Sequence, residues 1–295
     1  MALAEYNKDP YSLDTHDMTF GEAAQKYMED QRPKVKDGTY NNYKVAFNQT
    51  KALHDRPMVQ LKLDTLQLFV DTCGKSYIAL SNIKRFFVSV FNWAIKYEVV
   101  QKNYGTLIDV EKHKASYTKR KKAVFSPDEI RTLWNMADTD KTAEMLVLML
   151  YTGVRISEAI NLETKDVDLE KKCFYVRKSK TAAGVRTVPI ADCIMPILQR
   201  NMGSQYVINL QGRDRPDCQN IEQHIYPLFR KRTGLDHTLH ETRHTFISML
   251  ADAGVDERIT KSIVGHQGGS ITESVYTHIS LQPMLDAVNM LPVYK

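Results

Sequence analysis

The chain has 295 residues, of which 43% are hydrophobic and 25% charged, with only 13 glycines and 10 prolines; this leaves room for two ordinary domains and excludes low-complexity disorder over most of the length. Its four cysteines, Cys73, Cys173, Cys193 and Cys218, form no C-x-x-C pair, which excludes a disulfide framework and a cysteine zinc ribbon and fits a reducing cytosolic compartment. The net charge of +5 is mild, the start "MALAEYNKDPYSLD" carries no secretory leader, and the apolar runs "FFVSVFNWAI" and "MLVLMLY" are too short to cross a bilayer, so a cytoplasmic protein with no membrane partner is expected.

Residues 1–16 read as an N-terminal extension, followed by a helical domain over 17–110. Its first helix, "TFGEAAQKYMED", opens with Thr19 three residues before Glu22, a capping box that satisfies two backbone amides. Further helical patterns run over about 39–53, 64–73 and 77–98. In the last, Ile83, Phe86, Phe87, Val90, Phe91, Ala94 and Ile95 recur at helical spacing. Lys84, Arg85 and Lys96 lie off this stripe and identify no binding face by themselves.

The linker at 111–122 is basic. Lys112, Lys114, Lys119, Arg120, Lys121 and Lys122 follow one another without an intervening acid. Such a run is either a solvated tether or a segment that lies along a phosphate backbone, and the two readings are compatible. A second domain starts at 123 with "FSPDEIRTLW", where Ser126, Pro127 and Glu129 mark a helix start. A helix over about 141–152 is stopped by Gly153. "CFYVRKSKTAAGVRTVPI" alternates around a Gly184-containing turn and predicts a hairpin whose tip includes Ser179–Gly184. Helices are expected near 192–201, 217–231, 241–253, 256–264 and 281–290. The fold class is therefore mainly α with a small antiparallel β-sheet.

Within the second domain "HETRH", His240–His244, fits the H-E-x-x-H pattern of a zinc peptidase helix. The extended form fails, because Ile247 and Leu250 stand where it needs glycine and histidine, and Arg243 would set a permanent charge beside a dication. Read as His240-x-x-Arg243, the stretch has other company. "LYTGVRISEAINL" holds Arg155 and Glu158, the hairpin tip holds Lys180, and "IVGHQGGSITESVYTHIS" holds His266 and Tyr276. Each alone has a structural explanation. Together they form a set suited to a phosphodiester, whose non-bridging oxygens gather negative charge that paired guanidinium donors answer. A phenol with pKa near 10 needs an adjacent base or a cationic pocket to attack. A lysine on a hairpin can protonate the leaving oxygen. This chemistry requires no metal and no cofactor.

The motifs "YTGVRISEAINL", "KSKTAAGVRTVPI", "LHETRHTF", "VGH" and "VYTH", in that order, resemble those of tyrosine recombinases, specifically phage and conjugative-transposon integrases. The resemblance implies Arg155 and Arg243 as phosphate clamps, Lys180 as general acid, His240 and His266 as proton carriers and hydrogen-bond donors, Tyr276 as nucleophile, and Glu158 as support for the first arginine. It implies a two-domain clamp around double-stranded DNA, made of a helical core-binding domain and a mixed α/β catalytic domain over 123–280, and a homotetramer on recombination sites. It further implies a bacterial, nucleoid-associated setting, an accessory DNA-bending or excisionase protein, and a C-terminal segment, 281–295, exchanged in trans; the alternative is a helix packed in cis. Thr242 departs from the leucine common before the second arginine. The short extension 1–16 departs from members that carry an arm-binding domain there. A type IB topoisomerase, a DNA-binding module without chemistry and the zinc peptidase stay as rival readings.

Overall fold

The computed structural model of the chain describes residues 18–116, 123–177, 184–210, 217–265 and 279–295. It divides into two compact units, Met1–Arg120 and Lys121–Lys295. The extension 1–16, the linker residues Lys119–Lys122 and the hairpin residues 179–183 lie outside the described residues.

The described part of the first unit has four α-helices, α1 (Phe20–Gln31), α2 (Asp37–Gln49), α3 (Leu63–Thr72) and α4 (Tyr77–Lys96), of which α1 and α4 open with side-chain caps at Thr19 and Ser76. The Thr19–Glu22 capping box is closed, with the Thr19 N–H donating to Glu22 at 2.9 Å and the Glu22 N–H donating to the Thr19 hydroxyl at 3.3 Å. The long helix α4 is the centre of the unit. Its buried stripe, Leu80, Ile83, Phe86, Phe87, Val90, Phe91 and Ala94, belongs to one core with Phe20, Ala23, Ala24 and Tyr27 of α1. Phe20 and Phe87 meet with ring centroids 5.4 Å apart. Burying each such aromatic side chain stabilises the unit by about 1.5–3 kcal/mol before entropy is counted.

After α4 the chain folds back on the unit. The Gln67 side chain clasps the backbone of Asp109, accepting from its N–H at 2.8 Å and donating to its carbonyl at 2.9 Å. Tyr77 donates to Glu111 at 2.7 Å, and Lys112 pairs with Asp71 at 2.6 Å. The beginning of the basic segment is thus fastened to the helical unit, with Lys114 pairing with Glu111 at 3.1 Å.

The second unit is built around α6 (Lys141–Thr152), which follows α5 (Pro127–Met136). Residues Thr142 to Thr152 of α6 are all buried, which is why its sequence is apolar on every face. Asp140 caps it, accepting from the Thr142 and Ala143 N–H groups at 2.8 and 3.2 Å. Gly153 ends it with a left-handed φ of +65°. A short helix α7 (Ile156–Ala159) then leads to strands β1 (Val167–Asp168), β2 (Cys173–Val176) and β3 (Arg186–Pro189), ordered β1-β2-β3 and antiparallel throughout. Val176 pairs with Arg186 across the hairpin. Further α-helices enclose this sheet and α6: α8 (Met195–Asn201), α9 (Tyr226–Thr233), α10 (Leu239–Asp252), α11 (Glu257–Val264) and α12 (Leu281–Asn289).

Three expected helices differ in form; the one expected over about 39–53 ends at Gln49 and is followed by a 3-10 turn at Lys51–Leu53. The segment expected over 217–231 starts as a single turn at Cys218–Asn220, widens to a π-helical stretch at Ile221–Ile225, and becomes α only from Tyr226. Pro227 is the cause, because it cannot donate an amide to the preceding turn and its ring crowds the carbonyl four residues back. Pro196 acts in the same way on the segment that begins at Asp192, whose first turn is 3-10 before α8. The terminal helix α12 is folded against its own unit, burying Met284, Ala287 and Val288, while Tyr151 donates to the Pro292 carbonyl at 2.8 Å. Among the described residues no helix is long and apolar enough to cross a membrane.

Gly153 is required twice. Its φ is one that side chains rarely adopt, and an added Cβ would lie 2.3 Å from the buried Phe246 ring. Gly153→Ala is therefore expected to destabilise the second unit by about 2–4 kcal/mol, the sum of a left-handed backbone cost and core overpacking. Urea unfolding followed by circular dichroism measures the loss, and an unchanged midpoint contradicts it.

Candidate functional site

The left-handed turn at Gly153 takes the chain out of α6 and sets Arg155 at the start of α7. Glu158 then lies one helical turn on and reaches back. Its Oε2 accepts from the Arg155 backbone N–H at 3.1 Å, and its Oε1 accepts from the Arg155 guanidinium at 2.7 Å. The Glu158 side chain is 1% exposed and that of Arg155 26%. One end of the arginine is thus fixed to a buried carboxylate while part of it stays at the surface.

A second guanidinium reaches the same carboxylate. Arg186, the first residue of β3, donates to Glu158 Oε2 at 3.1 Å, to the Ile263 carbonyl at 2.5 Å and to the Gly184 carbonyl at 2.8 Å. Burial alone would raise the Glu158 carboxyl, but the Arg186 charge, helped by the donors of Arg155, holds it at about 2. Arg186 escaped the sequence reading. The signal was an arginine at an inward-facing position of an alternating strand, three residues before Pro189.

Arg243, in the second turn of α10, is 1% exposed and among the largest fully buried side chains of the chain. It donates to the Gly153 carbonyl at 2.7 Å and to the Val264 carbonyl at 2.6 Å. Burial lowers its pKa to about 10, and the neighbouring positive charges of Arg155 and Arg186 add to that, opposed by Glu158. It remains protonated at neutral pH. The structure therefore brings Arg155, Glu158 and Arg243 into one electrostatic cluster.

The "HETRH" stretch resolves differently from a zinc helix. Glu241 is buried and caps its own helix, accepting from the Thr238 N–H at 2.7 Å and the Ala123 N–H at 3.2 Å, with His237 at 3.3 Å. His237 in turn stacks on Phe125 with centroids 3.9 Å apart and approaches Glu129 at 3.1 Å. A carboxylate so engaged on the interior side of the helix is not placed to activate a water beside His240. His240 is exposed at the start of α10 and its ring meets that of His244 edge-on at 4.8 Å. Among the described residues no group of three His, Cys, Asp or Glu side chains is arranged to hold a metal ion.

A surface cleft of about 430 Å³ is lined by the cationic Arg155 and Arg230, by His240, Ser157 and Thr238, and by one carboxylate, Glu222, with apolar side chains between them. It sets the exposed part of Arg155 and the ring of His240 on one wall system, which is a suitable place for an anionic ligand. Thr242, the departure noted in the sequence, is fully buried, and its hydroxyl donates to the Leu239 carbonyl at 2.8 Å. Lys180, His266 and Tyr276 lie outside the described residues, as do Lys119, Arg120, Lys121 and Lys122.

The Glu158 carboxyl, held at about 2 in place of its ordinary 4.5, gives stability that is complete above pH 4.5 and is lost as pH falls through about 2. The shift corresponds to about 3 kcal/mol. Glu158→Gln should lower the urea midpoint at pH 7, and the gap to the unaltered chain should close progressively between pH 4.5 and 2. A gap constant with pH would show that the carboxylate charge does not carry the effect.

Comparison with known proteins places this geometry. The phage integrase family matches residues 123–282, and the phage integrase N-terminal SAM-like domain matches residues 19–72. The tyrosine recombinase XerA of Pyrococcus horikoshii is 28% identical over 171 residues, covering 56% of this chain, and the chain spans 59% of the length of that relative. Among solved structures, the Tn1549 transposon integrase in complex with circular intermediate DNA matches with a TM-score of 0.72 at 22% identity, over 90% of this chain and 97% of that one. The lambda integrase tetramer bound to a Holliday junction matches with a TM-score of 0.72 at 17% identity, over 89% of this chain and 80% of that one. At such identities the structures establish the shared fold. With the phage integrase match covering more than half of its length, the chain belongs to that family.

Proposed function

We propose that the chain is a site-specific DNA recombinase that cleaves and rejoins DNA strands through a 3′-phosphotyrosyl intermediate and integrates and excises a mobile element. The observation that carries this reading is the cationic cluster in which Arg243 is pinned between two backbone carbonyls and Arg155 is pinned by Glu158. A guanidinium carries five N–H donors, more than two carbonyls consume, and its planar fork suits the non-bridging oxygens of a phosphodiester.

In this proposal Tyr276 attacks the scissile phosphorus and its phenolic proton passes to His240 or to solvent. Arg155, Arg243 and His266 stabilise the charge that builds on the non-bridging oxygens. The bond to the 5′ oxygen breaks, and that oxygen takes a proton from Lys180. The phosphotyrosyl ester keeps the energy of the broken bond, so a 5′-hydroxyl from a partner duplex reverses the sequence without ATP and without a metal. The helical unit, 17–110, serves as the core-binding domain, 111–122 as the linker, 123–280 as the catalytic domain, and 281–295, packed on its own unit in the single chain, as the segment to be exchanged between protomers on assembly. The proposal includes a homotetramer on two duplexes, assisted by an accessory DNA-bending or excisionase protein in a bacterial cytoplasm. The DNA and the Holliday junction held by the two structural neighbours support the choice of substrate and assembly.

A random-sequence library of nicked duplexes serves as the test substrate. It is incubated with the full chain, adducts that survive denaturation are recovered, and the captured sequence becomes the substrate for later rounds. Tyr276→Phe should yield no adduct; an adduct formed equally by that variant overturns the reading. On the captured duplex, Arg155→Ala or Arg243→Ala should slow adduct formation by about 100- to 1,000-fold, as for other losses of a transition-state donor, with a much smaller loss of affinity.

Replacing Lys119, Arg120, Lys121 and Lys122 together by alanine should weaken binding to all duplexes and flatten its salt dependence, because fewer counterions are released from the DNA. Fluorescence anisotropy across a salt series reads this. Loss of cleavage at unchanged affinity would contradict the division of labour between linker and site.

A further inference from the structure

We propose that Arg186 is a positioning residue for strand cleavage, tying the start of β3 to the Arg155–Glu158 pair and to the end of α11. The inference rests on the recombinase reading above. Each of the three donations of its guanidinium ends on a segment that carries or adjoins a different candidate residue. The bond to Glu158 at 3.1 Å braces the carboxylate that fixes Arg155. The bond to the Gly184 carbonyl at 2.8 Å, two residues back, fixes the backbone that enters β3; Lys180 precedes it by four residues in the sequence and lies outside the described residues. The bond to the Ile263 carbonyl at 2.5 Å holds the last turn of α11 ahead of Gly265, after which His266 follows in the sequence.

Arg186 is built for bracing, because each of its three guanidinium nitrogens already donates within the unit. Its side chain is 7% exposed. Its guanidinium therefore depends on donors all finding acceptors, since a buried charge left unpaired is costly. The fork geometry of arginine matches this demand, because one rigid plane reaches a carboxylate and two carbonyls on three sides. A lysine ammonium at the same place has its three donors on one atom and cannot span them. Glu158 depends on the arrangement as well. Its Oε2 is shared by Arg186 and the Arg155 backbone N–H, and its Oε1 is left for the Arg155 side chain. Without Arg186 the carboxylate loses the partner that fixes its plane, and the Arg155 guanidinium loses its fixed direction. A displacement of about 1 Å in a reacting or stabilising group is enough to cost about 100-fold in rate.

The test uses the full chain and the captured duplex, with Arg186→Lys as the main variant, because it keeps the charge beside Glu158, and Arg186→Gln as the second. Affinity is read by anisotropy, folded fraction by circular dichroism, and cleavage by single-turnover adduct formation at saturating protein. For Arg186→Lys we expect affinity within about threefold of the unaltered chain and cleavage slowed by about 10- to 100-fold. A second duplex carries a neutral methylphosphonate at the scissile position. That centre gathers less negative charge on attack and asks less of the Arg155 and Arg243 pair, so the ratio of unaltered to variant rate should shrink to within a few-fold on it. Equal slowing on both duplexes, or slowing that tracks the folded fraction, overturns the positioning role and leaves a purely structural one. Unaltered cleavage by both variants overturns it outright. Absence of any Tyr276-dependent adduct from the unaltered chain overturns the recombinase reading itself, which separates the two failures.

Discussion

The arrangement of the second unit depends on one buried carboxylate that two guanidinium groups share. Placing Arg155, Arg186 and Arg243 close enough for their charges to act on one another is unfavourable in a low-dielectric interior. Glu158 answers part of that repulsion. Backbone carbonyls answer the rest, and the carbonyls used are not arbitrary. Gly153 lies just past the end of α6, and Ile263 and Val264 are the last residues of α11. The last carbonyls of a helix have no amide partner within it and carry the negative end of the helix dipole. Two helices therefore present their C-terminal ends to the arginines, and each satisfies polar groups of the other.

Much of this was legible in the sequence, for reasons that differ by element. Helices with side-chain caps announced themselves: Thr19 with Glu22 and Ser126 with Glu129 both close capping boxes, and α6 runs from Lys141 to Thr152 as its apolar run and Gly153 require. The grouping of Arg155, Glu158 and Arg243 was readable only as joint chemistry, because each alone has a structural explanation and the set together suits a phosphodiester. Arg186 was not readable in the same way. Its importance depends on which residues face it across the fold, and the alternation of β3 says only that it points inward. The two-residue strand β1 carries too little pattern to be seen.

The zinc-like stretch shows how two local signals can share residues. Glu241 belongs to the H-E-x-x-H spacing, and it is also the fourth residue of Thr238-x-x-Glu241, a helix-start box. Only one role fits the side chain. Capping engages the partly buried amides of Thr238 and Ala123, so turning Glu241 outward toward His240 would give up both hydrogen bonds of a buried carboxylate. The physical cost of the second role selects the first. The same side chain ties the segment at Ala123 to the start of α10, which is the helix that carries His240 and Arg243.

Both helices whose ends hold Arg243 finish in left-handed glycines, Gly153 at φ +65° and Gly265 at φ +66°. A side chain at either position would resist that conformation, and a helix end that unwound or continued would carry its carbonyl away from the guanidinium. The precision with which Arg243 is held is thus set by the backbone conformation of two glycines. Because Arg186 takes the Ile263 carbonyl next to the Val264 carbonyl taken by Arg243, a shift of the α11 end moves the acceptors of both arginines together. The cluster consequently behaves as one cooperative element. Its charges are held by backbone that is itself held by turn geometry, so the clamp is stiffest where the chain changes direction.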